Sequence, residues 1–165
     1  MDRRKDLPQR ILQKASKRLL VGRLEWLSLP ALRLSPWLAK TDTGARTSCL
    51  HATDVSLDAD GKTVHFVTTG DDGQALPCRA KLSRIKSIRN SSGVASQRFI
   101  ISTKVELPGG LHFDMEFSLA DRRHMKCPIL LGRRALAGHF LVDPQSQLLL
   151  GSFSSFPHPT THPLL

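Results

Sequence analysis

After Pro108-Gly109-Gly110, the residues Leu111, Phe113, Met115, Phe117 and Leu119 alternate without a break with His112, Asp114, Glu116 and Ser118. Strict period-two alternation describes an extended chain with one face buried, because successive side chains of a strand point to opposite sides of its sheet. Upstream, Phe99, Ile101, Val105 and Leu107 share one parity, so Pro-Gly-Gly joins two strands into a hairpin. A chain built around such a ribbon must bury that face against its other elements.

In the rest of the sequence those elements read as strands. From Leu20 onward, short apolar runs are separated by Gly, Pro, Asn, Asp and Ser, the punctuation of an all-β barrel or sandwich. Further strands are expected at Leu20–Leu27, Trp37–Thr41, Cys49–Leu57, Thr63–Thr68, Ala75–Leu82, Arg98–Leu107 and Gln147–Leu150, with an apolar Phe140-Leu141-Val142 ahead of an Asp143-Pro144 turn. Asp58-Ala59-Asp60-Gly61 and Gly70-Asp71-Asp72-Gly73 read as turns, and Asn90-Ser91-Ser92-Gly93 as the tip of a hairpin from about Leu82 to Ile101. One short helix is expected in the domain, from Arg133 to Gly138.

At 165 residues the chain has the length of about one domain, and 40% hydrophobic residues are enough for a packed core. We expect a basic N-terminal arm over residues 1–19, a β domain over 20–151 and a flexible tail over 152–165. The arm has helical spacing between Pro8 and Leu20, and reads either as a solvated tail or as an anchor for an acidic partner. No apolar run reaches the roughly 18 residues of a membrane span, and charges occupy the place of a signal peptide's apolar region. The expected location is therefore cytoplasmic, without a membrane partner. Cys49, Cys78 and Cys127 form no Cys-x-x-Cys pair, and their odd number argues for reduced thiols.

The formal charge is +10, from 24 Lys and Arg against 14 Asp and Glu, and it is concentrated. Residues 1–23 carry eight basic residues against Asp2 and Asp6, and Arg79 to Arg98 carry six with no acidic residue. Such fields attract polyanions. The absence of Tyr, with only two Trp, disfavours a base-stacking platform for single-stranded nucleic acid.

The candidate chemistry lies in Ala39-Lys40-Thr41-Asp42-Thr43-Gly44-Ala45-Arg46-Thr47-Ser48. A strand ending in Asp-Thr-Gly delivers a carboxylate into a tight turn, where Gly44 permits close backbone approach and Thr43 can hydrogen-bond to keep the loop rigid. Rigid placement suits a general acid or base, although an Asx turn has the same composition. Downstream, Cys127-Pro128-Ile129-Leu130-Leu131-Gly132-Arg133-Arg134 places a short apolar strand, a Gly and a helix in succession. This layout, with the Asn90–Gly93 hairpin between the two elements, resembles a retropepsin.

The likeness extends to Arg23-Leu24-Glu25-Trp26-Leu27-Ser28-Leu29-Pro30, Leu50-His51-Ala52, Arg98-Phe99-Ile100-Ile101, Asp121-Arg122, Pro128 to Arg133, and Phe140-Leu141-Val142-Asp143. Over roughly residues 20–147 the chain resembles the RimB-type, RimK-associated proteins that carry the label ATP-dependent zinc protease. The resemblance implies a small closed retropepsin-like barrel with one short C-terminal helix. It also implies an aspartic peptidase associated with trimming glutamate tails that an ATP-grasp ligase adds to a ribosomal protein. Thr41 stands where an apolar residue usually precedes the catalytic Asp of such proteins.

An aspartic peptidase activates water between two carboxylates that share a proton, and this chain has one Asp-Thr-Gly. The expected enzyme is therefore a homodimer with catalytic Asp42, Thr43 and Gly44 from each copy. Arg46, Arg98 and Arg133 are the candidates for binding substrate carboxylates, and a structural ion pair is the competing role for Arg133.

No zinc site is expected. There is no His-Glu-x-x-His, and neither Cys49 with His51 nor His124 with Cys127 has a spacing that specifies a ligand set. No phosphate-binding Gly-rich loop is present either, so no cofactor is expected and any ATP use falls to the ligase. The competing function is a non-catalytic barrel that binds acidic peptides or ribosomal RNA through its basic segments. A zinc hydrolase, lost on chelation, is the third.

Overall fold

The computed structural model describes residues 17–70, 73–89 and 95–156. Residues 1–16, which hold most of the basic arm and of the Pro8–Leu20 helix candidate, and the Asn90–Gly93 hairpin tip lie outside the described residues, while the end of that candidate is not helical, since Leu19 and Leu20 are strand. In chain order the strands are β1 (Leu19–Gly22), β2 (Leu24–Leu29), β3 (Leu34–Thr41), β4 (Ser48–His51), β5 (Thr53–Leu57), β6 (Thr63–Thr69), β7 (Ala75–Arg89), β8 (Ala95–Leu107), β9 (Leu111–Ala120), β10 (Ile129–Leu131) and β11 (Phe140–Asp143). A single-turn helix, α1 (Arg133–Leu136), separates the last two.

The Pro108–Gly110 turn sets Val105 opposite Phe113 and Leu107 opposite Leu111, the pairing that the alternation predicts. Gly109 and Gly110 both take positive φ there, a conformation that costs glycine little and other residues more. The order β2-β3-β10-β4-β9-β8, with β8 returning to β2, closes a six-stranded barrel. Closure is made at Ser28 opposite Glu106, where the Ser28 hydroxyl donates to the Glu106 carboxylate at 3.3 Å. Leu27, Leu29, Ile101, Val105, Phe117 and Ile129 fill the interior and are all but inaccessible. Burying each such side chain contributes about 1.5–3 kcal/mol of transfer free energy. The chain is thus all-β with one short helix, as the periodicity predicts, and of the barrel and sandwich that the periodicity allows it is the closed barrel that the resemblance implies.

Four local expectations are corrected. Leu20–Leu27 is two strands in different sheets: β1 pairs in parallel with β11, and β2 belongs to the barrel. The break comes where Gly22 and Arg23 meet another part of the chain, since Arg23 N donates to Ser146 O and a Cβ on Gly22 would stand 2.5 Å from that oxygen. Cys49–Leu57 divides at Ala52, because β4 pairs with β9 and β10 whereas β5 pairs with β6. Ala75–Leu82 and the first strand of the following hairpin are one strand, β7, whose halves serve β6 and then β8 across a register shift between Leu82 and Arg84. Gln147–Leu150 is not a strand: Leu148 takes positive φ, and the amides of Leu149 and Leu150 turn to the carboxylate of Glu25. Packing also continues past residue 151, since Phe156 is buried.

Strands β5 and β6 extend the sheet beyond the barrel on the far side of β7. Among the described residues no helix is long and apolar enough to cross a membrane.

Candidate active site

Strand β10 lies between β3 and β4, parallel to the first and antiparallel to the second. The segment from Asp42 to Thr47 must therefore loop over the end of β10 to reach β4. Asp42 N donates to Leu131 O at 2.8 Å, which places Asp42 one step beyond the last β3–β10 pair. Its Oδ1 then accepts the amides of Gly44 at 2.9 Å and Ala45 at 3.0 Å. Both bonds fall on one oxygen, so the loop fixes the carboxylate while Oδ2 stays outside that pair. Gly44 comes close enough that a Cβ would stand 3.1 Å from Asp42 Oδ1.

The Leu-Leu-Gly-Arg segment supports the loop from beneath. Gly132 has no room for a side chain: a Cβ would meet Thr47 C at 2.7 Å and Thr47 O at 2.8 Å. Its amide donates to the Ser48 hydroxyl at 3.0 Å, and Arg133 N and Arg134 N donate to the carbonyls of Ala45 and Arg46. The Arg133 guanidinium completes the clamp, with Nη1 donating to Thr43 O at 2.9 Å and Gly44 O at 2.7 Å. The turn is held by Asp42 and Arg133 within the chain, while the Thr43 hydroxyl makes no hydrogen bond among the described residues.

Behind Asp42 the wall is polar. Thr41 is buried, and its hydroxyl donates to Gly22 O at 3.0 Å, so the departure from an apolar residue here is satisfied rather than disruptive. Gly22 N in turn donates to Glu25 Oε1 at 2.6 Å, and the same carboxylate receives Leu149 N at 3.0 Å and Leu150 N at 3.2 Å. Glu25 is 1% exposed and is sustained there by these three amides. A signal for it was available, since Glu25, Leu27 and Leu29 share the inward parity of β2 and a carboxylate at such a position needs partners.

The family described as the retropepsin-like aspartic endopeptidase RimB matches residues 20–150. This chain belongs to the RimB-like family. Proteins named probable alpha-L-glutamate ligase carry related sequence: one from Shewanella pealeana is 31% identical over 142 residues, covering 83% of this chain and 31% of the relative. Another, from Desulfotalea psychrophila, is 33% identical over 141 residues, covering 82% of this chain and 30% of that protein. The chain therefore spans a little under a third of the length of these curated relatives. The crystal structure of a Legionella pneumophila protein of unknown function shares the fold, with a TM-score of 0.65 at 22% identity, over 79% of this chain and 97% of that one.

In this RimB-like chain Asp42, Thr43, Gly44 and Arg133 come together, and Arg46 lies in the same loop with its side chain exposed. Arg98 stands apart on the β7–β8 hairpin opposite Lys86, and no hydrogen bond or ion pair among the described residues joins it to the loop. Glu116, not singled out by the sequence, links Arg84 and Ser83 of β7 to Arg134 of α1. Burial raises its pKa, but the Arg84 and Ser83 hydrogen bonds outweigh it and hold the carboxyl below the ordinary range.

His51 also has a different role from metal ligation. It is buried, its Nδ1 accepts Arg122 N at 2.9 Å, and Arg122 reaches on to Cys127 O, closing the loop that leads into β10. With Nδ1 engaged, and no group of three His, Cys, Asp or Glu converging among the described residues, the donor set does not fit a zinc centre.

Proposed function

We propose that the chain is an aspartic-type peptidase working as a homodimer, in which Asp42 and the partner subunit's Asp42 share one proton across a two-fold axis. The observation that carries this reading is the fixed Asp42 carboxylate, with Oδ1 held by two amides of its own turn. In the reaction the ionised Asp42 takes a proton from water as the water oxygen bonds to the scissile carbonyl carbon, while the protonated Asp42 donates to the carbonyl oxygen. Collapse of the tetrahedral species breaks the C–N bond as a proton passes to the leaving nitrogen. Arg133 supports this centre by holding the Thr43 and Gly44 carbonyls of the turn.

The substrate class is an acidic or glutamylated protein tail. Two observations support it: the net charge of +10, and a matching segment within proteins named probable alpha-L-glutamate ligase. A chain that removes glutamates and an enzyme that adds them act on the same tail, so an ATP-grasp glutamate ligase and its modified ribosomal protein are the partners of this reading. Arg46 and Arg98 are its candidates for contacting substrate carboxylates.

The test is hydrolysis of a poly-glutamate-tailed peptide by wild type and Asp42→Asn, read by mass spectrometry. Cleavage by wild type alone supports the reading. Tail binding by both proteins with cleavage by neither favours the non-catalytic acidic-peptide module. Mixing wild type with an equal amount of Asp42→Asn tests the dimer: random pairing leaves about a quarter of the pairs active, against about half for independent subunits.

A further inference from the structure

A second site lies at the other end of β3. Residues of the turn from β2 to β3 and of strands β6 and β7 line a cleft of about 210 Å³, among them Arg33, His65 and Arg79 together with Leu32, Pro77 and Cys78. Arg33 caps the Pro30–Leu32 turn in the left-handed conformation, with its amide on Pro30 O. Arg79 pairs with His65 across β6 and β7, so their side chains share a face. The His65 ring is already partnered, with Nε2 3.2 Å from Asp58 Oδ2. Among the described residues neither the Arg33 nor the Arg79 guanidinium has a hydrogen bond or ion pair. Elsewhere Arg84, Arg123, Arg133 and Arg134 are engaged, whereas the Arg46 and Arg98 guanidiniums share the lack of a partner among the described residues but line no common cleft with another arginine.

Two guanidiniums without a partner, both lining one cleft, suit carboxylates, which a planar fork binds in bidentate fashion. The cleft is too small for a cofactor and has room for one or two acidic side chains. We infer that the Arg33–Arg79 cleft is an exosite for the acidic tail of the substrate, holding carboxylates remote from the bond being cut. This rests on the proposed peptidase reading for the identity of the tail. Its reach follows from β3, which lies between Arg33 and Asp42: nine steps of about 3.3 Å put the two at most roughly 30 Å apart. An extended tail of about nine residues beyond the scissile bond is therefore long enough to engage both places.

The experiment compares wild type, Asp42→Asn, a double variant Arg33→Asn/Arg79→Ala, and Lys104→Ala/Lys126→Ala, which removes the same charge from exposed positions elsewhere. Asn is chosen at Arg33 because it tolerates left-handed backbone. Fluorescence anisotropy reads the binding of poly-glutamate peptides of four and sixteen residues. Product assay on substrates with tails of the same two lengths reads KM and kcat.

The expected result is about a ten-fold loss of affinity for the long peptide in the double variant only. KM for the long-tailed substrate should rise in step, with kcat unchanged and the short-tailed substrate unaffected. Equal weakening in both double variants, or a loss independent of length, overturns the exosite in favour of diffuse attraction. Unchanged binding in the double variant overturns it outright. If wild type binds the long peptide through Arg33 and Arg79 but cuts nothing, the exosite stands and the peptidase reading falls. Inorganic phosphate added as competitor distinguishes a general anion site, which it would empty, from one selective for the peptide.

Discussion

Nη1 of Arg133 lies 2.7 Å from the carbonyl oxygen of Gly44, closing a hydrogen bond across 89 residues of sequence onto the turn that carries Asp42. The clamp is made by the side chain that follows Gly132, the glycine on which the loop rests, so one short segment both supports the loop and grips it.

Replacing Arg133 therefore tests positioning against substrate binding. In the proposed peptidase, Arg133→Ala should lower kcat by about ten- to a hundred-fold through a looser turn, with KM little changed. The stability loss should be about 1 kcal/mol, and Arg133→Lys should recover only part of the rate, because an ammonium lacks the planar fork. A rise in KM at constant kcat would assign Arg133 to the substrate instead. Steady-state kinetics and thermal denaturation read both.

Gly132→Ala should be among the most damaging single methyl additions. The new Cβ would meet Thr47 C at 2.7 Å, and backbone at that distance cannot turn aside as a side chain can. A destabilisation of about 1–3 kcal/mol is expected from urea titration. An unchanged midpoint would show that the loop lifts freely off β10.

Glu25 accepts three amides while all but inaccessible to water. Glu25→Gln removes the charge and leaves one acceptor oxygen, so about 2–3 kcal/mol of stability should be lost. Because Gly22 also receives the Thr41 hydroxyl, hydrogen exchange at Thr41 and Asp42 should rise as well. A variant as stable as wild type would remove Glu25 from this role.

Burial lowers the pKa of His51 below its ordinary 6.5, and the Arg123 and Arg122 charges add to that while Asp121 opposes it. The unfolded chain then binds the proton first on acidification. The contribution of His51 is complete above about pH 6.5 and erodes as pH falls from there toward its folded-state pKa, with a slope of at most about 1.4 kcal/mol per pH unit. Asp121, held at about 2 chiefly by the Arg123 hydrogen bond, stays ionised across this window. Melting temperatures from pH 7.5 to 5 should decline for wild type and flatten for His51→Asn, whose amide oxygen can still accept Arg122 N. A flat wild-type profile would contradict the buried neutral imidazole.

The amino-acid sequence by itself determined what depends on neighbouring residues. Period-two alternation in Leu111–Leu119, the Pro-Gly-Gly turn and the short apolar runs sufficed for an all-β chain, since burial of one face and positive φ at glycine are local requirements. The Asp-Thr-Gly turn and the Leu-Leu-Gly segment were likewise legible, because each carries its small or polar residues within a few positions. Tertiary structure alone decided which partners these elements found. Arg133 could not be assigned to Thr43 and Gly44, nor the amides of Leu149 and Leu150 to Glu25, because those contacts join residues 89 to 125 positions apart. The same holds for β7, whose halves serve two partners, and for Gln147–Leu150, an apolar run that reads as a strand until a buried carboxylate claims its amides. Alternation shows which face of a segment is buried; what lies against that face is set by how distant segments cross in three dimensions.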